Sequence, residues 1–128
     1  MSDKILIVEE HEAVRNALRN WLIVEFPNHK MCEATSGQEA IELADTDSPD
    51  LVVIDVSLSW VNGIDTTRKI KAIRRSAKIV ILATHMDKIY QEVAKDAGAS
   101  AYVPKGEILT ELIPTVTRLL QTGGMKHS

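Results

Sequence analysis

The chain has 128 residues, of which 45% are hydrophobic and 26% are charged, and its formal net charge is −3. This length suits one domain with a single core, and no apolar run approaches the roughly 18 residues that a membrane span needs. Cys32 is the sole cysteine, which excludes an internal disulfide and favours a cytoplasmic protein, while the slightly negative charge gives no general reason to expect nucleic-acid binding.

Five apolar runs of strand length are spaced along the chain. The strong runs, at residues 5–8, 51–55 and 78–83, are continuous rather than alternating, as expected of strands that are covered on both faces. Weaker runs lie at residues 30–34 and 100–103. The sequence therefore predicts five strands.

Segments with helical periodicity follow the strands. The second helix opens with a capping box formed by Ser36 and Glu39, and we expect it to end near Ala44. Asp65 and Asp87 are predicted to cap the third and fourth helices. The apolar stripes of the first, fourth and last helices are predicted to be Ala13, Val14, Ala17, Leu18, Trp21 and Leu22; Ile89, Val93, Ala94 and Ala97; and Ile108, Leu109, Leu112, Ile113, Val116, Leu119 and Leu120.

Gly98 and Pro114 mark the last two helices. Gly98 is predicted to end the fourth helix as a left-handed cap, and Pro114 is predicted to bend the last helix without breaking it. The alternation of five strands with five helices predicts an α/β fold with a parallel sheet covered on both faces. We expect one domain over residues 1–121 and a Gly-rich tail or linker stub over residues 122–128.

A cluster of basic residues stands out in the third helical segment. Its members interleave with Ile70 and Ile73 at helical spacing, which is typical of the solvated face of an amphipathic helix. A contact with a phosphate backbone is the minority interpretation. The cluster consists of Arg68, Lys69, Lys71, Arg74, Arg75 and Lys78.

Chemically reactive residues follow four of the five predicted strands. In an open parallel sheet the site lies beyond the carboxyl ends of the strands. Glu9 and Glu10 follow the first strand, Asp55 ends the third, Thr84 ends the fourth and Lys105 follows the fifth. Three converging carboxylates need a counter-charge, and an all-oxygen cluster suits a hard cation such as Mg²⁺.

Beside such a cation, Asp55 can attack a phosphoryl group and carry it as an acyl phosphate. Lys105 would neutralise the phosphoryl oxygens, and the Thr84 hydroxyl would donate a hydrogen bond to one of them. Taken singly, each residue has a structural interpretation, since a strand-end Asp often caps a helix and a lone Lys is usually solvated. The predicted convergence of these residues at the carboxyl edge of one sheet favours the functional interpretation.

These positions, with the segments "GASAYVPK" and "IDVSLSWVNG", resemble the receiver domain of two-component response regulators, the CheY-like family, over essentially the whole chain. The resemblance implies a doubly wound (βα)5 three-layer sandwich of flavodoxin-like type, with strand order 2-1-3-4-5. It implies that Asp55 accepts phosphate from a sensor histidine kinase. It also implies that Mg²⁺ is held by Glu9, Glu10, Asp55 and the backbone carbonyl of Ser57.

The resemblance also carries expectations about switching and partners. It implies that Thr84 and Tyr102 are switch residues that remodel the face formed by the fourth helix, fifth strand and fifth helix. Pro104 before Lys105, with Gly106 after it, is similar to the branch with a LuxR-type helix-turn-helix output domain. The chain is then either a stand-alone receiver or one that lacks a C-terminal DNA-binding domain. We further expect a homodimer on phosphorylation and no membrane contact. We expect no enzymatic activity beyond self-phosphorylation and weak autophosphatase activity.

Several residues depart from the family pattern. Glu9-Glu10 replaces the usual Asp-Asp or Glu-Asp, and the extra methylene of Glu10 must be absorbed if it is to contact the metal. Leu58 and Ser59 stand where Met-Pro is common, and His85 follows Thr84. A degenerate receiver that acts as a phosphorylation-independent interaction module is therefore the alternative hypothesis.

A third hypothesis is an enzyme or nucleotide binder on the same architecture. The turn after the first strand, "EEHEAV", contains no glycine. Glycine-rich turns let backbone amides approach a phosphate closely, as in the GxGxxG and P-loop motifs. The sequence therefore disfavours this third hypothesis.

Overall fold

The computed structural model describes residues 3–56, 60–84 and 87–125. Strands and helices alternate along the whole of the described chain, with one short 3₁₀ turn at Lys105–Glu107. The elements are β1 (Lys4–Val8), α1 (Glu12–Glu25), β2 (Lys30–Ala34), α2 (Gly37–Asp47), β3 (Leu51–Val56), α3 (Trp60–Ile73), β4 (Lys78–Ala83), α4 (Lys88–Ala97), β5 (Ala101–Pro104) and α5 (Ile108–Met125).

The five strands form one parallel sheet in the order β2-β1-β3-β4-β5. This order confirms the predicted doubly wound fold. The chain winds outward from β1 in both directions, so the order reverses between β1 and β3, which are direct neighbours. A crevice at the carboxyl ends of these two strands is therefore the expected place for a site.

The sheet separates two hydrophobic cores because successive residues of a strand point to opposite faces. In β1, Leu6 and Val8 enter the core beneath α2, α3 and α4, while Ile5 and Ile7 enter the core beneath α1 and α5. We call these the α2–α4 core and the α1/α5 core. All four side chains are buried, which explains why the strong strands read as continuous apolar runs.

The helix starts agree with the sequence except at α3. Ser36 caps α2 by accepting a hydrogen bond from the Glu39 amide at 3.1 Å, although α2 continues to Asp47, beyond its predicted end. The predicted cap at Asp65 is wrong, because α3 already begins at Trp60. Asp65 lies inside the helix, where it forms an exposed ion pair with Lys69 at 3.1 Å.

The early start of α3 has a packing explanation. Ile64 is buried in the α2–α4 core, so the turn before Asp65 is held against the sheet as helix. Gly63 lies so close to β3 that a Cβ at this position would meet the Val56 side chain at 2.4 Å. The tertiary contacts of Gly63 and Ile64 thus extend the helix past the boundary that the capping preference of Asp65 predicted.

The last two helices follow their predicted boundaries more closely. Asp87 is the N-cap residue of α4, and Gly98 ends it with a left-handed φ of 115°. Pro114 lies inside α5 without breaking it, and the bend at Pro114 stays a prediction. Because α5 continues to Met125, residues 122–125 of the predicted tail are helical.

The predicted apolar stripes are wider than the buried ones. Leu109 is 84% exposed and Ile89 is 73% exposed, and Val14 is also exposed. In α1, α4 and α5 the strip that is buried is narrower than the apolar stripe, so these residues at the edge of a stripe are exposed. In the part of the chain that the structure describes, no helix is both long enough and apolar enough to cross a membrane.

Candidate functional site

Two acids of the sequence pattern lie side by side at the carboxyl edge of the sheet. Val8 of β1 pairs with Ile54 of β3, so Glu9 and Asp55 are the next residues of the two neighbouring strands. The Glu9 amide also donates to the carbonyl of Ala34 at 3.0 Å, which continues the pairing of β1 with β2 past the end of the strand. The register of the sheet thus sets the separation of the two carboxyl groups.

The carboxyl groups of Glu9 and Asp55 are buried and in contact. Their side chains are only 1% and 2% exposed. The two groups lie within hydrogen-bonding distance of each other, but two ionised carboxylates are both acceptors. A proton or a cation is therefore needed between them.

The pKa values of the pair move in opposite directions. Burial, followed by the neighbouring Glu9 carboxyl, raises the pKa of Asp55 to about 6 despite the opposing Lys105 ammonium. For Glu9, burial acts to raise the pKa, but the contacts with Asp55 and His11 outweigh it, so the pKa is lowered. Without a metal, Asp55 therefore holds the shared proton below about pH 6 and is ionised at neutral pH.

Lys105 forms an ion pair with Oδ1 of Asp55. The lysine begins the 3₁₀ turn after β5, and its side chain remains 25% exposed. An ammonium that is partly solvated can move towards an incoming anion at modest cost, whereas the buried carboxylate cannot move. The pair therefore places a buried carboxylate beside a partly solvated positive charge.

The second glutamate is placed differently from the first. Glu10 is exposed, although it lines the same cavity of about 290 Å³ as Glu9 and Asp55. Ser36, Asn62, Gly63 and Thr66 also line this cavity. The three acids thus share one cavity, but only two of them are in contact.

Glu9, Glu10 and Asp55 offer the type of ligand atom, carboxylate oxygen, that a hard cation prefers. Glu9 Oε1 is buried and has no hydrogen-bond partner among the described residues, and carboxylate oxygens are the ligands that Mg²⁺ prefers. Within residues 3–56, 60–84 and 87–125, however, no group of three His, Cys, Asp or Glu side chains is gathered closely enough to hold a metal. A site with Glu10 as a third ligand stays a prediction and requires a movement of that side chain.

The remaining predicted residues lie at the same edge or next to it. Thr84 follows β4 directly and is exposed. Tyr102 lies in β5, packs against the α2–α4 core and is partly buried; burial and then the charge of Glu107 raise its pKa. The predicted metal-binding carbonyl of Ser57 and the departures at Leu58, Ser59 and His85 lie outside the described residues.

Two residues at the start of α1 that the sequence did not single out contact Glu9: the N-cap residue His11 and Arg15 within the helix. The backbone amide of His11 donates to Glu9 Oε2 at 2.9 Å, and the His11 Nδ1 atom lies 3.0 Å from the same oxygen. Arg15 donates to the Glu9 carbonyl at 3.0 Å and to Glu33 Oε1 at 3.1 Å. Their spacing of four residues puts His11 and Arg15 on one side of the helix start, which is the only sequence signal for this arrangement.

The comparisons with known proteins agree on one family. The chain matches the family model of the response regulator receiver domain over residues 5–117. It is 39% identical over 113 residues to the transcriptional regulatory protein PdtaR of Mycobacterium tuberculosis, which covers 88% of this chain and 54% of PdtaR. Response regulator MprA of Mycolicibacterium vanbaalenii is 35% identical over 122 residues, covering 94% of this chain and 52% of MprA. The chain spans about half the length of these curated relatives.

Solved structures give the same result. A two-component response regulator of the LuxR family from Aurantimonas sp. SI85-9A1 superposes with a TM-score of 0.84 at 32% identity, covering 95% of this chain and 87% of that chain. A CheY-like receiver domain protein from Methanospirillum hungatei JF-1 superposes with a TM-score of 0.86 at 20% identity, covering 98% and 99% of the two chains. At this lower identity the likeness concerns the fold alone.

Proposed function

The chain belongs to the receiver domain family of two-component response regulators, and from this premise we propose that it is a phosphorylation switch in which Asp55 accepts a phosphoryl group from a sensor histidine kinase. The observation that carries the proposal is the buried Asp55 carboxylate, which contacts Glu9 and is ion-paired with Lys105 at the carboxyl edge of the sheet. A signalling role of this kind is not classical enzymatic turnover. We infer a cytoplasmic site of action.

The residues can divide the chemistry among themselves. A carboxylate oxygen of Asp55 forms the new P–O bond while the P–N bond to the kinase histidine breaks and its electron pair stays on the imidazole nitrogen. Lys105 can exchange its contact with Asp55 for one with a phosphoryl oxygen, and Thr84 can donate a hydrogen bond to another. Glu9 and Asp55, with Glu10 at the cavity wall, would hold Mg²⁺, which when bound supplies neutralising charge for the phosphoryl oxygens.

Phosphorylation would act by shifting a population between two conformations. Thr84 follows β4 and Tyr102 lies in β5, which is part of the face formed by α4, β5 and α5. A phosphoryl group that favours one arrangement of these two side chains would favour one form of that face. Because the relatives are about twice as long, the partner of this face is proposed to be a C-terminal DNA-binding domain, a second receiver or a separate effector. We propose no direct nucleic-acid contact by the receiver itself.

Intact-mass spectrometry tests the proposal. The protein is incubated with Mg²⁺ and a small-molecule acyl phosphate, and we expect one phosphoryl adduct in the wild type and none in Asp55→Asn. Lys105→Met should reduce the rate of adduct formation while leaving the fold intact, because its side chain is partly solvated. The absence of an adduct at saturating phosphodonor would overturn the proposal.

A second candidate function follows from the exposed position of Glu10. If that side chain does not join Glu9 and Asp55, the domain is a degenerate receiver that binds a partner without being phosphorylated. A Mg²⁺ titration followed by tryptophan fluorescence separates the two functions, since Trp60 lies five residues beyond Asp55 in the sequence. The titration is best done in Trp21→Phe, which removes the background of the other tryptophan. A flat response would favour the degenerate receiver.

A further inference from the structure

The two oxygens of the Glu9 carboxylate have different surroundings. Oε2 accepts from the His11 amide at 2.9 Å and lies 3.0 Å from the imidazole Nδ1. Oε1 is buried without a hydrogen-bond partner in the described residues, in a carboxyl group that contacts Asp55. One oxygen of Glu9 is therefore occupied by His11, and the other is available to a ligand in the acidic cavity.

Holding one carboxylate oxygen in place affects metal binding more for a glutamate than for an aspartate. Glutamate has an additional rotatable bond, so its carboxylate has more orientations to lose when it becomes a ligand. Two donors on a single oxygen restrict the rotation of the terminal group. An imidazole Nδ1 can carry a donated hydrogen in both the neutral and the charged ring, so this contact does not depend on the charge of His11.

The backbone of Glu9 is held independently of the His11 side chain. Arg15 donates to the Glu9 carbonyl, the Glu9 amide donates to Ala34, and the Arg15 amide donates to the His11 carbonyl at 2.9 Å. The His11 imidazole makes no capping hydrogen bond to α1 and is 54% exposed. Its removal would therefore delete one of the two donors to the Glu9 carboxylate while leaving the main chain and the helix start in place.

We propose that His11 is a positioning residue for the cation site: it holds Oε2 of Glu9 so that Oε1 is presented towards Asp55. The inference rests on the proposed Mg²⁺ site and adds a residue that determines how readily that site binds the cation. Partners that orient a ligating side chain commonly change metal affinity by about 10- to 100-fold when removed. Because one of the two donors, the backbone amide, survives substitution, we expect the lower end of this range.

The test measures Mg²⁺ binding apart from phosphorylation. Thermal unfolding of wild type, His11→Ala and His11→Asn is followed at increasing Mg²⁺ concentration, which gives an apparent dissociation constant for each protein. We expect His11→Ala to raise this constant about tenfold. His11→Asn should restore most of the affinity, because its side-chain amide can donate to the same oxygen.

A double-mutant cycle decides whether His11 acts through Glu9. In the Glu9→Gln background, His11→Ala should leave the remaining Mg²⁺ affinity unchanged, because the carboxylate that it positions is gone. An equal loss in both backgrounds, or an unchanged affinity in His11→Ala alone, would overturn the inference while leaving the proposed function standing. A wild type that shows no Mg²⁺ response and no phosphoryl adduct would overturn both.

Discussion

At the scale of single residues, the burial of Asp55 and its contact with Glu9 make the Asp55 carboxyl costly to ionise. Folding carries Asp55 from its ordinary pKa of 3.8 to about 6, mainly through burial. The native state therefore binds this proton more tightly than the unfolded chain does. The corresponding stability is fully present below the ordinary pKa and is lost as the pH rises through about 6. The lowered pKa of Glu9 acts in the opposite sense but only at more acidic pH.

Asp55→Asn should therefore stabilise the metal-free protein at neutral pH. Asparagine keeps the shape of the side chain, removes the buried charge and can donate a hydrogen bond to Glu9. In EDTA at pH 7.5 we expect a Tm about 4 °C above that of the wild type, which corresponds to about 1 kcal/mol for a domain of this size. At pH 5 most of the difference should disappear, because Asp55 is then largely protonated. A pH-independent difference would show that the Asp55 charge does not cause it.

The basic cluster of α3 divides into structural and solvated members. Lys71 donates from Nζ to the carbonyl of Arg75 at 2.6 Å and to that of Ala77 at 2.9 Å, which anchors the chain after the helix. Lys69 instead forms an exposed ion pair with Asp65. The solvated-face interpretation is thus right for part of the cluster only, since a lysine that caps a helix end and one that is solvated look alike in sequence.

Lys71→Met should accordingly cost more stability than Lys69→Met. The first change deletes two hydrogen bonds from a charged donor, for which we expect a loss of about 1–2 kcal/mol. The second removes an exposed pair that is worth less than about 0.5 kcal/mol. Urea unfolding of both variants checks the comparison, and methionine keeps the length and apolar stem in each case. Equal losses would contradict the assignment of Lys71 as the anchor.

At the scale of elements, helix contacts explain where sequence reasoning succeeded. The strands β3 and β4 were predictable because a continuous apolar run of only five or six residues is typical of a strand that is buried on both faces. The α2 cap was predictable because Ser36 and Glu39 interact locally. The start of α3 was not, since it depends on contacts of Gly63 and Ile64 with distant residues. The site shows the same division between what can and cannot be predicted. The proximity of Glu9 and Asp55 follows from the strand register and was predictable. The exposure of Glu10 and the contact of His11 with Glu9 depend on side-chain orientation and were not.

The packing of α2 on α3 depends on a close approach at Gly37. A Cβ added to Gly37 would lie 2.3 Å from Oγ1 of the buried Thr66. Gly37→Ala should therefore destabilise the protein by about 1–3 kcal/mol although alanine is the better helix former. Gly106→Ala is the matched control, because a Cβ there meets nothing within 4 Å. Chemical denaturation gives both values.

Removing the obstructing hydroxyl tests the cause. In the Thr66→Ala background, Gly37→Ala should cost much less than in the wild type, because the double-mutant cycle isolates the clash between these two side chains. If the cost of Gly37→Ala were the same in both backgrounds, the close approach to Thr66 would not be its origin.

At the scale of the whole molecule, one sheet joins the α2–α4 core to the α1/α5 core. The two cores share the backbone of the same strands, because each strand contributes alternate side chains to the two faces of the sheet. Losing the packing on one face would leave the sheet with an uncovered apolar surface on that face. The two cores should therefore fold and unfold as one cooperative unit.

Two conservative substitutions on opposite faces test this cooperativity. Ile79 of β4 lies in the α2–α4 core and Ile7 of β1 in the α1/α5 core; both are fully buried and β3 separates their strands. Each Ile→Val change should cost about 1 kcal/mol, and the costs should add, because the sites lie about 10 Å apart across the sheet. In a Trp60→Phe background the remaining tryptophan is Trp21, which packs against the α1/α5 core, so its fluorescence reports on that face, while far-UV circular dichroism reports on all elements. Ile79→Val should shift both midpoints in urea equally; a fluorescence midpoint that responded to Ile7→Val alone would show two separately unfolding layers.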